Sequence, residues 1–160
     1  MHVKFGMIAV ALVTAGMLAG PAGSFAMGSG GDSPAAAPAK SPFDRAVAKV
    51  KAKDYRGAIP LLKQVVAADR RNANAYNYLG YSYRETGDLQ NALINYQTAL
   101  SIDPNHKGAN EYLGELYVRI GDLAKAKEQL AKLDRLCTFG CTEYEELKRK
   151  VAALSKKQGS

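Results

Sequence analysis

The sequence predicts an all-α protein in which about three helix pairs stack on one another and one further helix closes the C-terminal end. Aspartates recur every 34 residues, an alanine follows each by four positions, and apolar residues recur at helical spacing between them. Self-similarity at a period of this length is typical of helical repeat arrays, in which each unit packs against its neighbours. The positions that set the period are Asp54, Asp88, Asp122, Ala58, Ala92 and Ala126.

Residues 1–26 predict a signal peptide. Lys4 precedes an uncharged stretch in which residues 6–18 are apolar, and the Ser-Phe-Ala sequence at 24–26 fits the small-x-small pattern of a processing site. We expect cleavage after Ala26. An uncleaved membrane anchor is the alternative, and it is the only membrane attachment that we predict. In both cases the rest of the chain is expected to be exported, to the periplasm or out of the cell.

Residues 27–40 predict a disordered linker, because a Gly/Ser/Pro/Ala tract cannot bury enough apolar surface to offset the cost of ordering its backbone. The folded domain is then expected to span residues 41–156. The whole chain has 22 basic and 15 acidic residues. Because the two signs are interspersed along the helices, this charge does not indicate nucleic-acid binding, and we predict no nucleic-acid partner.

The unit at residues 73–104 has the clearest helical pattern. Its apolar positions begin at Tyr76 and recur three, four and seven residues later, which places them on one face of a helix. Gly87 tolerates the left-handed backbone that ends a helix, and Asp88 can cap the next helix by accepting its free N–H groups. A second apolar face follows, and Pro104 predicts its end. This unit is therefore predicted to be a helix pair.

The same unit resembles the tetratricopeptide repeat, whose pattern is Trp-x2-Leu-Gly-x2-Tyr, then Ala-x3-Phe and a closing Pro. The corresponding residues here are Tyr76, Leu79, Gly80, Tyr83, Ala92, Tyr96 and Pro104. A third unit at 107–136 keeps much of the pattern, and a degenerate first unit lies at about 40–70. The resemblance implies a right-handed superhelix whose concave groove, lined by the first helix of each pair, holds peptides or partner proteins.

Residues 142–156 predict the helix that covers the apolar flank of the last repeat. Thr142, with Glu145 three residues later, fits a capping box at the start of this helix. One face of the helix is apolar, with the residues Tyr144, Leu147, Val151 and Leu154. A helix that lies on a membrane surface is the alternative.

Cys137 and Cys141 bracket a short turn before this helix. We predict a disulfide between them, because the thiols of an exported protein are expected to oxidise. The alternatives are a redox pair or a copper site. The C-x3-C spacing differs from the C-x2-C of thioredoxin-like motifs, and His106 is the only histidine that remains after the expected cleavage. We therefore predict no metal site.

The sequence lacks the patterns that catalysis requires. Ser-His-Asp and Cys-His arrangements would rest on His106 alone, and we interpret that residue as part of a turn between repeats. There is no H-E-x-x-H motif, no glycine-rich nucleotide loop and no calcium loop. We predict no enzymatic activity, no catalytic residue and no cofactor.

The predicted function is that of an adaptor or scaffold that binds a peptide or protein in the concave groove. Tyrosine and arginine are enriched at interface hot spots, and asparagine can bond to an extended peptide backbone. By exclusion from the packed faces, the predicted groove residues are Asn74, Asn77, Tyr81, Arg84, Glu111, Glu115 and Val118. The alternatives are a redox or copper-handling accessory protein that uses the cysteine pair, and a scaffold that self-assembles through its open ends. The sequence leaves the oligomeric state open.

Overall fold

A computed structural model describes residues 40–160, so the predicted signal peptide and all but the last residue of the predicted linker lie outside the described residues. Within residues 40–160 the chain forms seven helices and no strand. The helices are α1 Pro42–Lys51, α2 Tyr55–Ala68, α3 Ala73–Glu85, α4 Leu89–Ile102, α5 Lys107–Ile120, α6 Leu123–Leu136 and α7 Thr142–Gln158. The predicted all-α fold is confirmed. Each helix in this part of the chain is too short or too polar to span a bilayer.

The helices pack as consecutive pairs, α1 with α2, α3 with α4 and α5 with α6, and α7 lies against both helices of the last pair. The second helix of each pair begins at the aspartate that sets the repeat period. The carboxylates of Asp54, Asp88 and Asp122 each accept a hydrogen bond from the backbone N–H three residues later. Because these bonds satisfy N–H groups that a helix start leaves free, the sequence period determines where each helix begins.

The turn before each of these aspartates holds one residue with a left-handed backbone. The φ angle is 60° at Lys53, 89° at Gly87 and 81° at Gly121. Glycine adopts this conformation at little cost, whereas a side chain with a Cβ is strained there. The first pair therefore keeps the turn geometry of the other two, although its sequence departs from their pattern.

Small residues allow the two helices of each pair to approach closely. Ala58, Ala92 and Ala126 are completely buried. Gly80 of α3 faces the buried ring of Tyr96 on α4, and a Cβ built on Gly80 would lie 2.7 Å from the ring carbon Cδ1. Since interiors are packed too densely to absorb such an overlap, the glycine of the repeat pattern is a packing requirement.

The helix α7 closes the core at the C-terminal end, as predicted. Leu147 is completely buried and Val151 nearly so, whereas Tyr144 and Leu154 are half-buried at the edges of the same face. The side chain of Leu147 lies against the backbone of Gly114 in α5, in the space that a side chain there would occupy. This contact joins α7 to the main core.

The start of α7 differs from the prediction. The helix begins at Thr142, so the N-cap position falls on Cys141, whose side chain makes no capping hydrogen bond. The predicted capping box between Thr142 and Glu145 is therefore wrong, because Thr142 is already inside the helix. The helix also extends to Gln158, two residues beyond the predicted end.

Candidate functional site

The first helices of the three pairs, α1, α3 and α5, lie side by side, α7 follows them, and each of these four helices contacts the next. Two contacts fix how α3 meets α5. The ring of Tyr81 lies 4.9 Å from that of Tyr112, and Arg84 forms an ion pair with Glu115. On the other side of α5, Glu115 also pairs with Lys150 of α7. These contacts define one continuous face, which we call the groove face.

Aromatic side chains dominate the N-terminal half of the groove face. The ring centroids of Tyr55 and Tyr81 are 5.7 Å apart, those of Tyr81 and Tyr112 are 4.9 Å apart, and those of Tyr112 and Tyr96 are 6.2 Å apart. These spacings lie in the range of favourable aromatic pairs. Tyr55, Tyr81 and Tyr112 are half-buried, so part of each ring faces solvent. We call these three residues the tyrosine ladder.

A pocket of about 310 Å³ opens beside the tyrosine ladder. Tyr78 is a further aromatic residue in its wall. The ring of Tyr78 packs edge-on against that of Phe43, with the ring centroids 5.8 Å apart. Two lysines at its rim, Lys51 and Lys53, supply positive charge. The complete lining is Val50, Lys51, Lys53, Tyr55, Tyr78, Tyr81 and Tyr112. A pocket with apolar walls and a few polar groups at its edge is suited to hold a side chain of a partner.

Arg84 lies at the centre of the groove face, and its side chain is about 10% exposed. Its guanidinium pairs with Glu115 and with Glu85, the latter at 3.2 Å. The same group lies 5.1 Å from the ring centre of Tyr81 and 5.5 Å from that of Tyr112. Such cation–π contacts are stabilising when they are shielded from water. Arg84 therefore joins the tyrosine ladder to the charged half of the groove face.

The hydroxyls of Tyr81 and Tyr112 stay protonated at neutral pH. Burial raises the pKa of Tyr81 far above its usual value, and it raises the pKa of Tyr112 to about 12. The same cause raises the pKa of Tyr96, whose hydroxyl oxygen has no hydrogen-bond partner among the described residues. Tyr81 and Tyr112 thus keep the O–H groups that can donate hydrogen bonds.

The structure divides the seven predicted groove residues into two groups. Three are at least partly open: Asn74 is exposed, and Tyr81 and Val118 are half-buried. Four are buried between neighbouring helices, namely Asn77, Arg84, Glu111 and Glu115. Burial arises because the first helices pack directly against one another, which covers side chains that a single helix would leave exposed. Whether a partner touches these residues stays a prediction.

Tyr55, Tyr78 and Tyr112 also belong to the groove face, although they are not among the predicted groove residues. One signal was present, because Tyr78 and Tyr112 are separated by the same 34 residues as the capping aspartates. Tyr55 carried no such signal, since it begins α2, the second helix of its pair, and reaches the groove face only through its contact with Tyr81.

His106 occupies the N-cap position of α5, where the sequence predicted a turn. Its Nδ1 accepts a hydrogen bond from the backbone N–H of Ala109 at 3.1 Å, and its Nε2 lies 3.0 Å from Oδ1 of Asn74. In these two contacts Nδ1 is the acceptor and Nε2 the donor, because the amide oxygen Oδ1 cannot donate. The ring thus links the start of α5 to α3 and performs a structural role.

The Cα atoms of Cys137 and Cys141 lie 5.5 Å apart, a separation that suits the predicted disulfide. The turn that they enclose carries Phe139, which is fully exposed. Among the described residues, no group of three or more His, Cys, Asp or Glu side chains is arranged to hold a metal ion. The oxidation state of the pair in its native compartment stays a prediction.

The fold and its groove face define a helical repeat protein built from stacked helix pairs. Two models of the tetratricopeptide repeat family match the chain, at residues 43–107 and 83–150. Together they cover about two thirds of it, so the chain belongs to the tetratricopeptide repeat family. The resemblance found in the sequence is thereby confirmed.

Among curated proteins, the chain is similar to cellulose synthase operon protein C of Escherichia coli strain K12. The two are 42% identical over 48 residues, which are 30% of this chain and 4% of that protein. The chain therefore spans a small fraction of the length of this relative. The likeness is confined to a segment of about one and a half repeats.

Three solved structures of two proteins share the fold. The type III secretion translocator chaperone SycD of Yersinia enterocolitica has a TM-score of 0.67 and 16% identity, over 74% of this chain and 84% of that chain. SycD also matches in complex with a peptide of the translocator YopD, with a TM-score of 0.62 and 18% identity over 72% and 88% of the two chains. The second domain of human RPAP3, solved with an HSP70 peptide, has a TM-score of 0.62 and 23% identity over 69% and 92%. At these identities the likeness shows the fold alone.

Proposed function

We propose that this protein is a non-enzymatic adaptor that binds a peptide or an extended protein segment along its groove face. The observation that carries the proposal is the tyrosine ladder with the pocket beside it, because tyrosine offers a large apolar surface and a hydrogen-bond donor in one rigid side chain. Two proteins of the same fold, SycD and RPAP3, were solved with bound peptides, which supports this use of the fold.

Tyr81 is the residue whose replacement tests the proposal most directly, because its ring lies against those of both Tyr55 and Tyr112. To identify the partner, the tagged chain is cross-linked in its source cells and purified. Mass spectrometry then identifies the protein and the segment that are cross-linked to it. A synthetic peptide from the cross-linked segment then allows titration by fluorescence polarisation. We expect Tyr81→Ala to weaken binding of that peptide by about tenfold or more, as for an aromatic hot spot.

Ile94→Ala provides the matched control. Ile94 is an exposed apolar residue on α4, the outer helix of the same pair. Its replacement should leave the affinity unchanged. Circular dichroism should show equal helix content in both variants. Unchanged affinity in Tyr81→Ala, with Tyr78→Ala behaving in the same way, would exclude the groove face as the binding surface.

We also propose that the chain is exported through residues 1–26 and carries an oxidised Cys137–Cys141 pair at its destination. The small-x-small motif at residues 24–26 supports export. The oxidising conditions expected outside the cytosol support the oxidised cysteine pair. Mass spectrometry of the chain recovered from fractionated cells should show a mature N-terminus at Met27. A thiol-reactive maleimide should label neither cysteine until a reductant is added. Labelling of both thiols in the unreduced, denatured chain would show that the pair is not oxidised.

A further inference from the structure

Glu111 carries the least compensated charge on the groove face. The residue is 8% exposed, and among the described residues it has no hydrogen bond and no ion pair. The next carboxylate on this stripe of α5, Glu115, differs in this respect because both Arg84 and Lys150 pair with it. The carboxylate of Glu111 is therefore free to pair with a cationic group from outside the chain.

The position of Glu111 follows from its neighbours on α5. Gly108, Glu111 and Glu115 recur at intervals of three and four residues and therefore lie on one stripe of the helix. This stripe meets α3 at Gly108, where a Cβ would lie 3.3 Å from Nδ2 of Asn77. It meets α7 at Glu115, through Lys150. Glu111 thus lies between the two flanking helices, in the C-terminal half of the groove face.

A second buried acceptor lies beside this stripe. Asn77 is 5% exposed, and its Oδ1 has no hydrogen-bond partner in the described part of the chain. The Nδ2 atom of the same amide faces Gly108, which has no side chain and lies one helical turn before Glu111. The amide with the unsatisfied oxygen and the unpaired carboxylate are therefore neighbours along one stretch of α5.

The remaining charges around Glu111 are mostly negative or already paired. Glu143 and Glu146 of α7 and Glu115 of α5 all act on it, and Lys150 is the nearby cation. Lys150 is held by Glu115, and Arg149 pairs with Glu146 at 2.5 Å. Glu143 lines a larger cleft of about 720 Å³, together with Asn74, His106, Lys107 and Gly108. The charges that act on Glu111 are therefore mainly negative, and the cleft reaches α5 at Gly108, one helical turn before Glu111.

We propose that this part of the groove face is a subsite for a cationic side chain of the bound peptide, an arginine or a lysine, with Glu111 as its counter-ion and Asn77 as a neutral acceptor. The inference rests on the proposed adaptor function and names one recognition element of the partner. A guanidinium or ammonium group supplies the N–H donors that both acceptors lack. The surrounding carboxylates exclude an anionic side chain from the same place.

The titration of Glu111 gives the subsite a pH dependence. The pKa of Glu111 is raised to about 7, mainly by burial and then by the negative charges of Glu115 and Glu143. Lys150 lowers it by a smaller amount. The carboxyl group is protonated well below that pH and cannot pair with a cation. Binding of a cationic side chain should therefore strengthen as the pH rises through the pKa of Glu111.

A short peptide tests the subsite without knowledge of the natural partner. The probe is acetyl-Gly-Arg-Gly-amide, and the neutral control is acetyl-Gly-Gln-Gly-amide, each titrated into the isotope-labelled chain and followed by amide NMR shifts. We expect saturable shifts along α5 and α7 with the arginine peptide alone. Glu111→Gln should weaken that binding by about tenfold, as the loss of a charge-assisted hydrogen bond predicts, and should remove its pH dependence.

Two further variants separate the possible outcomes. Glu128→Gln removes an exposed carboxylate on α6 and should change nothing. Glu111→Asp keeps the charge and should retain binding of the arginine peptide. Equal affinity in Glu111→Gln and the unmodified chain, or an equal response to the neutral peptide, would overturn the inference. Since the adaptor proposal is tested by Tyr81→Ala, it would survive that result.

Discussion

Replacing Arg84 by methionine is expected to lower the free energy of unfolding by about 3 kcal/mol, because it removes one of the two cations that pair with the buried carboxylate of Glu115. The side chains of Arg84 and Glu115 are about 10% and 5% exposed, so water cannot replace the lost ion pair. The variant also loses the contacts of the guanidinium with the rings of Tyr81 and Tyr112. Lys150 remains paired with Glu115 and limits the loss. Urea denaturation followed by circular dichroism measures the effect.

An exposed ion pair supplies the control for Arg84. Lys148 and Glu145 lie 4.0 Å apart on the outer face of α7, and both are more than half exposed. Lys148→Met should therefore cost less than about 1 kcal/mol. The double variant Arg84→Met with Glu115→Gln should recover part of the single-variant loss, because it also removes the carboxylate that has lost the guanidinium as a partner. Equal stability of Arg84→Met and Lys148→Met would contradict a structural role of the buried pair.

Arg84 is therefore a poor position at which to test binding to the groove face. Arginine on a concave helix suggested a partner-binding residue, yet Arg84 holds α3 to α5 and its replacement acts on the fold first. A loss of binding in an Arg84 variant would report instability as much as recognition. Tyr81, Tyr78 and Glu111 are better positions for function, because none of them forms an ion pair within the described residues.

Leu147→Ala is expected to destabilise the protein by about 2–5 kcal/mol, the range for truncating a buried leucine. Leu147 is completely buried and fills the space above Gly114, so its removal leaves a cavity between α5 and α7. A loosened α7 would also uncover the apolar flank of the last helix pair. Chemical denaturation should show the lower stability, and light scattering should show increased association.

Leu154→Ala is the comparison for this prediction. Leu154 belongs to the same apolar face of α7 but is only half-buried. The same change of side chain there removes fewer contacts and should cost clearly less, since less area is taken from the core. If the two variants lost the same stability, the docking of α7 would not depend on the contact between Leu147 and Gly114.

The helices and their phasing could be predicted from the sequence because both depend on local, periodic features. Capping aspartates such as Asp88, left-handed turn residues such as Gly87 and apolar residues at helical spacing act within a few positions of one another. Repetition then identifies the pairs, and the family comparison confirms them. The start of α7 shows how exact such predictions can be. Thr142 was predicted as the N-cap, but the N-cap is one residue earlier, at Cys141.

Within residues 40–160 the sequence by itself determined three repeating helix pairs and a closing helix, and the tertiary structure decided which side chains meet on the groove face. The repeat period is 34 residues, yet the contact between Arg84 and Glu115 spans 31 and that between Glu115 and Lys150 spans 35. Neighbouring helices are offset along their axes, so residues of equal phase do not face one another. This offset depends on how whole helices pack against one another, and it cannot be read from the period of the sequence. The contact of Gly80 with the ring of Tyr96 is one example of such packing. For that reason the sequence predicted a groove, while only the packed helices distinguished the open tyrosine ladder from the buried ion pair and the unpaired carboxylate of Glu111.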